Sequence, residues 1–250
     1  GMVNGSGPAY THYDWSAYVD WKTAKYFRLT LGRGKHFFGE GYRSMFLSDA
    51  ATSYPYFRIT TTAWHIRYVN VFALLNDIRG AGEDPARFTR KYASFHYLSW
   101  NASERFNFGV FESIVWQGGD QGYPRGFDIN YLNPVILYRP LEFAQGSADN
   151  ALLGISATAR AGRNTTLYAQ AMLDEFLLSE VRAGKGWYAN KQGLQLGVAA
   201  HDAFRQPGLF LRLEFNYVRP FMYTHSDTRQ NYAHFGQPLA HPYGSNFHES

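Results

Sequence analysis

The chain has 250 residues, a formal net charge of +4 and an aromatic content of 18%, and it contains no cysteine. This composition excludes a disulfide framework and a thiolate metal site, and the scattered basic residues include no Lys/Arg run of the kind that binds nucleic acid. No apolar stretch is long enough for a membrane-spanning helix, but so many rings suit either an aromatic girdle at a membrane surface or a site that stacks sugars.

The chain begins with small and polar residues rather than with a targeting signal. Residues 1–9 have neither the basic region nor the apolar region of a signal peptide, so we expect a disordered start or the remnant of a tag. Residues 10–250 contain no linker, repeat or low-complexity tract, which predicts a single segment. A secreted or membrane protein lacking its signal would be a mature or truncated chain.

Alternation of apolar and polar residues with period two predicts strands through most of the chain. In chain order the predicted strands occupy residues 26–31, 57–75 (long enough for two strands), 105–117, 151–160, 165–174, 192–201 and 209–217. The clearest apolar face belongs to the last of these and consists of Leu209, Leu211, Leu213, Phe215 and Tyr217. In 105–117 the apolar face has one exception, Glu112, which the pattern does not explain.

The connections between these strands are of two lengths. Residues 101–104 and 161–164 read as short hairpin turns, whereas 32–55, 118–134 and the stretch after 220 are long and hold many glycines and prolines. A short helical insert is expected near residues 133–140, because Pro134 suits a first helical position. Roughly ten strands of about ten residues fit a membrane barrel, but a soluble β-sandwich or lipocalin-like barrel fits the same pattern.

One segment is far more distinctive than the rest. Residues 31–49 read LGRGKHFFGEGYRSMFLSD, and further characteristic stretches follow at 54–62, 130–134, 139–143, 146–154, 173–176, 184–190 and 237–242. In this order the stretches resemble the Wzi-like capsule-assembly proteins of the Bacteroidetes, a group that includes RemB-like proteins associated with gliding motility. The resemblance runs over about residues 15 to 248, nearly the whole chain.

This resemblance implies an all-β fold, namely an antiparallel outer-membrane β-barrel. Wzi-type proteins hold capsular polysaccharide at the cell surface, behave as lectins and are not known as enzymes, so the expected partners are a surface polysaccharide and the lipid bilayer of the outer membrane. Family members are longer than 250 residues. The chain is therefore expected to be a fragment of a larger barrel, truncated at both ends.

Candidate glycan-binding or lumen-lining residues combine guanidinium and ammonium groups with a carboxylate and aromatic rings. They are Arg33, Lys35, Tyr42, Arg43, Asp49, Trp100, Trp116, Tyr123, Trp187 and Tyr188. Arginines on a polar strand face either pair with carboxylates such as Asp49, Glu40 and Asp77 inside a barrel or bind acidic sugars, since a guanidinium matches a carboxylate. The tryptophans and tyrosines form either a girdle and core or a sugar-stacking platform.

Enzymatic and cofactor chemistry has little support in the sequence. No phosphate-binding loop, metal-ligand His pair or G-x-S-x-G nucleophile elbow is present, so no catalytic residue, cofactor or metal is predicted. A soluble all-β carbohydrate-active enzyme and a passive porin-like channel stay open as alternatives to a polysaccharide-binding barrel.

Overall fold

The computed structural model describes residues 3–4, 11–78, 88–118, 126, 129–133, 149–174, 191–225 and 230–242. Of these residues 61% lie in strands, and the helices among them are two short 3-10 turns, Ile129–Leu132 and Ala203–Arg205. The predicted all-β fold is confirmed by this content. In the part of the chain described here, no helix has the length and hydropathy needed to cross a membrane.

The strands are short near the two ends of the chain and long between them. In chain order they are β1 (Val3–Asn4), β2 (Thr11–His12), β3 (Ala17–Lys22), β4 (Phe27–Gly34), β5 (Tyr54–Ala63), β6 (Ile66–Asp77), β7 (Thr89–Asn101), β8 (Phe106–Gln117), β9 (Asn150–Ala161), β10 (Thr165–Asp174), β11 (Lys191–Ala200), β12 (Leu211–Val218), β13 (Ala233–His234) and β14 (Gln237–Pro238).

Strands β3 to β12 form one ten-stranded antiparallel sheet in which every strand pairs with its neighbours in sequence. The pairs β1–β2 and β13–β14 form two small separate sheets. Strands β3 and β12 are the edges of the large sheet, so the described residues form an open sheet and do not close into a barrel.

The connections differ in length between the two ends of the large sheet. At one end, called here the short-turn end, the strands are joined by residues 23–26, 64–65, 102–105, 162–164 and 201–210. At the opposite end, the long-loop end, the connections are residues 35–53, 78–88, 118–149 and 175–190. The tight turn after β9 uses Gly162 with a φ of 78°, a left-handed conformation that glycine adopts without steric cost.

The two faces of the sheet have different surroundings. One face, called here the inner face, is covered by residues 35–53, 219–225 and 230–242, which together we call the plug. In β8, Phe111 and Val115 are on this inner face and belong to the main hydrophobic core, whereas Phe106 and Val110 are on the outer face. The predicted apolar side chains of this strand therefore share the outer face, whereas the main core lies on the opposite face, which the sequence pattern indicated as polar.

The main core lies between the inner face and the plug. Met45, Phe46 and Leu47 of the plug have no exposed surface, and the ring of Phe46 stacks on Phe111 with centroids 5.1 Å apart. The hydroxyl of Tyr232 donates to the carbonyl oxygen of Phe46 at 2.7 Å. Residues 35–53 and 230–242 of the plug therefore bond to each other as well as packing on the sheet.

Polar side chains of the inner face satisfy the backbone of the plug. The ammonium group of Lys91 donates to the backbone carbonyl oxygen of Asn231 at 2.7 Å. The side-chain amide of Asn150 donates to the backbone carbonyl oxygen of Gln230 at 3.1 Å. Lys191 donates to the carbonyl oxygen of Thr224 in the same way. These bonds are needed because a buried carbonyl group without a partner costs free energy.

The outer face carries a buried polar row that accounts for the position of Glu112. The strand register pairs Glu112 with His96, and His96 with Asn70, and the three side chains are between 0% and 3% exposed. The nearby outer-face residue Ser94 donates to the carbonyl oxygen of Tyr131 at 2.9 Å. The exception in the apolar pattern is thus one member of a polar cross-strand row beneath a covered part of the outer face.

The helical insert predicted near residues 133–140 falls almost wholly outside the described residues, which include only residue 133 of that range. It stays a prediction.

Candidate functional site

A cavity of about 520 Å³ lies on the inner face, between residues 35–40 of the plug and the short-turn end of the sheet. Sites for small ligands have volumes of roughly 300–1,000 Å³. The charged residues that line the cavity are five cations and two carboxylates: Lys35, Arg58, Arg67, Arg105 and Arg160, with Glu40 and Glu104. The cavity therefore has the size of a ligand site and an excess of positive charge.

The strand register brings three of these arginines together from distant parts of the chain. Arg58 of β5 pairs with Val71, a residue of the main core, which places it on the inner face. Arg67 of β6 lies on the same face, because it lies four positions before Val71 and residues an even number of positions apart share a face. Arg160 of β9 occupies the equivalent inner position three alternations after Gly154, whose Cα faces the plug.

Among the residues that the structure describes, the guanidinium groups of the cavity have few partners. Arg58 donates from Nη2 to the Thr30 hydroxyl at 3.1 Å, but its buried Nε has no hydrogen-bond partner. Across the residues that the structure describes, Arg67, Arg105 and Arg160 form no ion pair within 4.0 Å. These groups therefore retain donors that an anionic ligand can use.

Glu40 is the carboxylate that the plug places in the cavity. Its burial raises the pKa of the carboxyl group, an effect that the cations Arg212 and Arg160 oppose.

His36 lines the cavity without adding charge. Burial, with a smaller contribution from Arg58, lowers the pKa of His36 to about 3, so the ring is neutral near pH 7. Its Nδ1 lies 3.3 Å from the Tyr54 hydroxyl, and its ring meets that of Tyr56 edge-on at 4.3 Å. His36 thus anchors this part of the plug to β5 by packing and hydrogen bonding.

The plug segment beside the cavity is fixed by side chains of β10 and β11. The backbone N–H of Met45 donates to Oε1 of Gln170 at 2.8 Å, and Nε2 of Gln195 donates to the carbonyl oxygen of Arg43 at 2.6 Å. A Cβ atom at Gly39 would collide with Gln170, and one at Gly41 with Gln195. The glycines of the distinctive motif therefore allow the backbone to lie close against the sheet.

A third anchor of this segment comes from the edge strand β12. The backbone N–H of Tyr42 donates to Oε2 of Glu214 at 2.9 Å, and the Tyr168 hydroxyl donates to the same oxygen at 2.7 Å. The side chain of Asn216 donates to Oε1 at 2.8 Å. Together these contacts connect the motif to the last three strands of the sheet.

Several residues predicted as site residues lie in or beside the plug. Lys35 lines the cavity and forms an ion pair with Asp14 at 3.3 Å. Arg43 pairs with Asp49 at 3.1 Å and lies 4.5 Å from the ring of Tyr42. Arg43 of the motif therefore pairs with Asp49. Arg43, Asp49 and Tyr42 hold the plug together next to the cavity but do not line the cavity.

Other predicted site residues belong to the outer face. Arg33 shares the face of the exposed Leu31 by alternation, and its guanidinium lies 5.1 Å from the ring of Trp15. Trp100 is 40% exposed on the outer face of β7. These positions separate both residues from the cavity.

Trp116 belongs to a small aromatic cluster on the outer face. It is fully buried on the outer face, 4.7 Å from the ring of Tyr131 and 5.7 Å from that of Tyr92. This burial places Trp116 in a small core on the outer face, which is one of the two alternatives considered for the aromatic residues.

The predicted residues Tyr123, Trp187 and Tyr188 lie outside the described residues. Conversely, the cavity contains Arg105, Arg160 and Glu104, which the sequence did not single out. Alternation was the available signal for Arg160, but Arg105 and Glu104 lie in a turn, where no pattern indicates a direction.

Within the described ranges, no group of three or more His, Cys, Asp or Glu side chains is arranged to hold a metal ion. His234 has a structural role, since its Nδ1 accepts a hydrogen bond from the Asn76 backbone N–H at 3.1 Å.

Comparison with known proteins adds no relative to this description. No protein-family model, curated protein or solved structure matches the chain.

Proposed function

We propose that this chain is part of an outer-membrane β-barrel that binds and retains a surface polysaccharide, in capsule assembly or a related envelope role such as gliding. The observation that carries the proposal is the opposite chemistry of the two faces of the sheet. A cation-lined cavity lies on the inner face, while the outer face exposes large apolar side chains over most of its strands.

The apolar outer face supports the membrane part of the proposal. Its exposed side chains, with exposed fractions between 46% and 73%, are Val19, Trp21, Phe27, Leu31, Ile155, Leu167, Leu196, Leu213 and Phe215. Soluble monomers rarely expose so extended an apolar surface, and such a surface marks contact with a partner or a membrane. Alternation of lipid-facing apolar and inward polar residues is typical of membrane barrels.

The connections and the resemblance support the same proposal. Short turns at one end and long loops at the other are the arrangement found in outer-membrane barrels. The segment 31–49, which resembles the Wzi-like motif, supplies Lys35 and Glu40 to the cavity and also forms much of the plug. The plug favours a binding role over a passive porin, since it occupies the inner face along which a solute would pass.

Fractionation and capture test the proposal together. We expect the chain, expressed with its complete reading frame, to sediment with the outer membrane and to shift in mobility on heating in gel electrophoresis. Solubilised protein is expected to be captured by beads carrying capsular polysaccharide and to release no reducing ends from it. Recovery in the soluble fraction, or release of sugar products, would instead favour the soluble carbohydrate-active enzyme.

A further inference from the structure

The cavity on the inner face opens at the short-turn end of the sheet. Ser103, Glu104 and Arg105 line it from the β7–β8 turn, and all three are exposed to solvent. Arg160 and Thr166 line it beside the β9–β10 turn. A ligand can therefore approach from the side on which the hairpins lie.

The opposite side of the cavity is closed by the plug within the described residues. The backbone N–H of Phe38 donates to the carbonyl oxygen of Leu47 at 2.9 Å, and the ring of Phe38 stacks on Tyr97 with centroids 5.0 Å apart. Behind these residues, Met45 and Phe46 are fully buried. This packed layer separates the cavity from the long-loop end.

The lining of the cavity suits a sugar that carries a carboxylate. Arg67, Arg105 and Arg160 present guanidinium groups without ion pairs among the described residues, and a guanidinium binds a carboxylate through two parallel hydrogen bonds. The ring of Phe37, which is 39% exposed, supplies apolar surface for the face of a sugar ring.

The lining has five cations and two carboxylates, and this net positive charge attracts an anionic ligand.

We infer that the cavity binds a uronate unit of an acidic glycan and that this glycan enters from the short-turn end. The inference rests on the proposed function and adds the ligand class and the side of entry. Short turns of outer-membrane barrels face the periplasm. The protein would therefore bind the glycan from the periplasm, before the glycan reaches the cell surface.

The ligand class is tested by titration calorimetry of the protein in lipid nanodiscs, with trigalacturonate as probe and maltotriose as the neutral comparison. We expect binding of trigalacturonate only. Arg67→Gln and Arg160→Gln are each expected to weaken it about tenfold, as loss of a charge-assisted hydrogen bond does. The matched control is Arg163→Gln, an exposed residue of the β9–β10 turn outside the cavity, which should bind like the wild type.

Equal binding of maltotriose, absence of trigalacturonate binding, or equal affinities for the wild type and both cavity variants would overturn the assignment. Thermal unfolding of each variant separates loss of binding from loss of folding. If the protein sediments with the outer membrane and captures capsule but the cavity variants bind normally, the inference fails while the proposed function stands.

The side of entry is tested with a single cysteine, which is practical because the chain has none of its own. Ser103→Cys at the cavity mouth is treated in cells with a polymer-linked maleimide too large to cross the outer membrane. We expect labelling only after the membrane is permeabilised, and slower labelling when trigalacturonate is present. Labelling of intact cells, or labelling that trigalacturonate does not slow, would overturn entry from the periplasm.

Discussion

At the scale of single residues, glycines of the inner face determine how closely the plug packs. A Cβ atom at Gly154 would collide with the ring of Phe46 and lie 3.1 Å from the sulfur of Met172. We expect Gly154→Ala to lower the free energy of unfolding by about 1–3 kcal/mol, the usual cost of overpacking a core. Denaturant titration in detergent measures this change.

The matched control for this exchange is Gly34→Ala. The nearest atom to a Cβ at Gly34 is Cε1 of Tyr56 at 3.5 Å, an ordinary van der Waals contact. A change within about 0.5 kcal/mol is expected there. If the two exchanges cost the same, close packing at Gly154 is not what makes the glycine necessary.

Two buried histidines of the plug make its stability depend on pH. Burial is the main reason that the pKa values of His36 and His234 are lowered to about 3 from an ordinary value of 6.5. The unfolded chain therefore binds more protons than the folded chain below pH 6.5, and stability falls as the pH decreases from 6.5 toward 3.

The combined variant His36→Gln, His234→Gln should show a flatter decline of the unfolding free energy below pH 6.5. Denaturant titrations at several pH values measure the slope. His65→Gln, on the exposed β5–β6 turn, is the control and should retain the wild-type slope. A combined variant as steep as the wild type would show that other groups cause the decline.

At the scale of elements, the plug is connected to the sheet by a few side-chain to backbone hydrogen bonds. Gln170 accepts from the N–H of Met45 and from the hydroxyl of Ser44, at 2.8 and 3.1 Å. Gln170→Ala leaves the buried Met45 amide without this acceptor, which costs about 1–3 kcal/mol. We expect faster hydrogen exchange in residues 41–47.

Gln192→Ala is the matched control for this exchange, because Gln192 is exposed and lies on the outer face of β11. Its removal should leave the exchange of residues 41–47 unchanged. Equal protection of this segment in both variants would mean that Gln170 does not hold the plug.

The same elements show how far the sequence predicts the structure. Alternation shows which residues of β8 share a face, including the exception Glu112, but it does not show that Phe111 and Val115 on the opposite face belong to the main core. The sequence does not predict strand β3, although Val19 and Trp21 alternate with polar residues, because six residues are a weak local signal. The hydrogen bond between Met45 and Gln170 joins residues 125 positions apart. A local sequence pattern cannot predict a contact over such a separation.

The cavity illustrates the same limit. Alternation gives the face on which an arginine lies, but the convergence of Arg58, Arg67 and Arg160 depends on the register of strands across the sheet. Register follows from the packing of the whole sheet. The sequence therefore shows the distinctive glycine motif, but it does not predict which residues line the cavity together with this motif.

At the scale of the whole molecule, a membrane barrel and a soluble sheet differ in what contacts the outer face, which is lipid in the first and water in the second. Phe215 is 59% exposed in the middle of β12. In a bilayer, Phe215→Arg is expected to cost about 2–4 kcal/mol, whereas in water an exposed apolar residue exchanges for arginine within about 0.5 kcal/mol. Folding into phospholipid vesicles, followed by the heat-dependent gel shift, measures which value applies.

The matched exchange Leu209→Arg, outside the strand at the short-turn end and 42% exposed, should cost less than about 1 kcal/mol near the interface. Equal, small costs at both positions would mean that the outer face contacts water, and this result would contradict the membrane interpretation of the sheet.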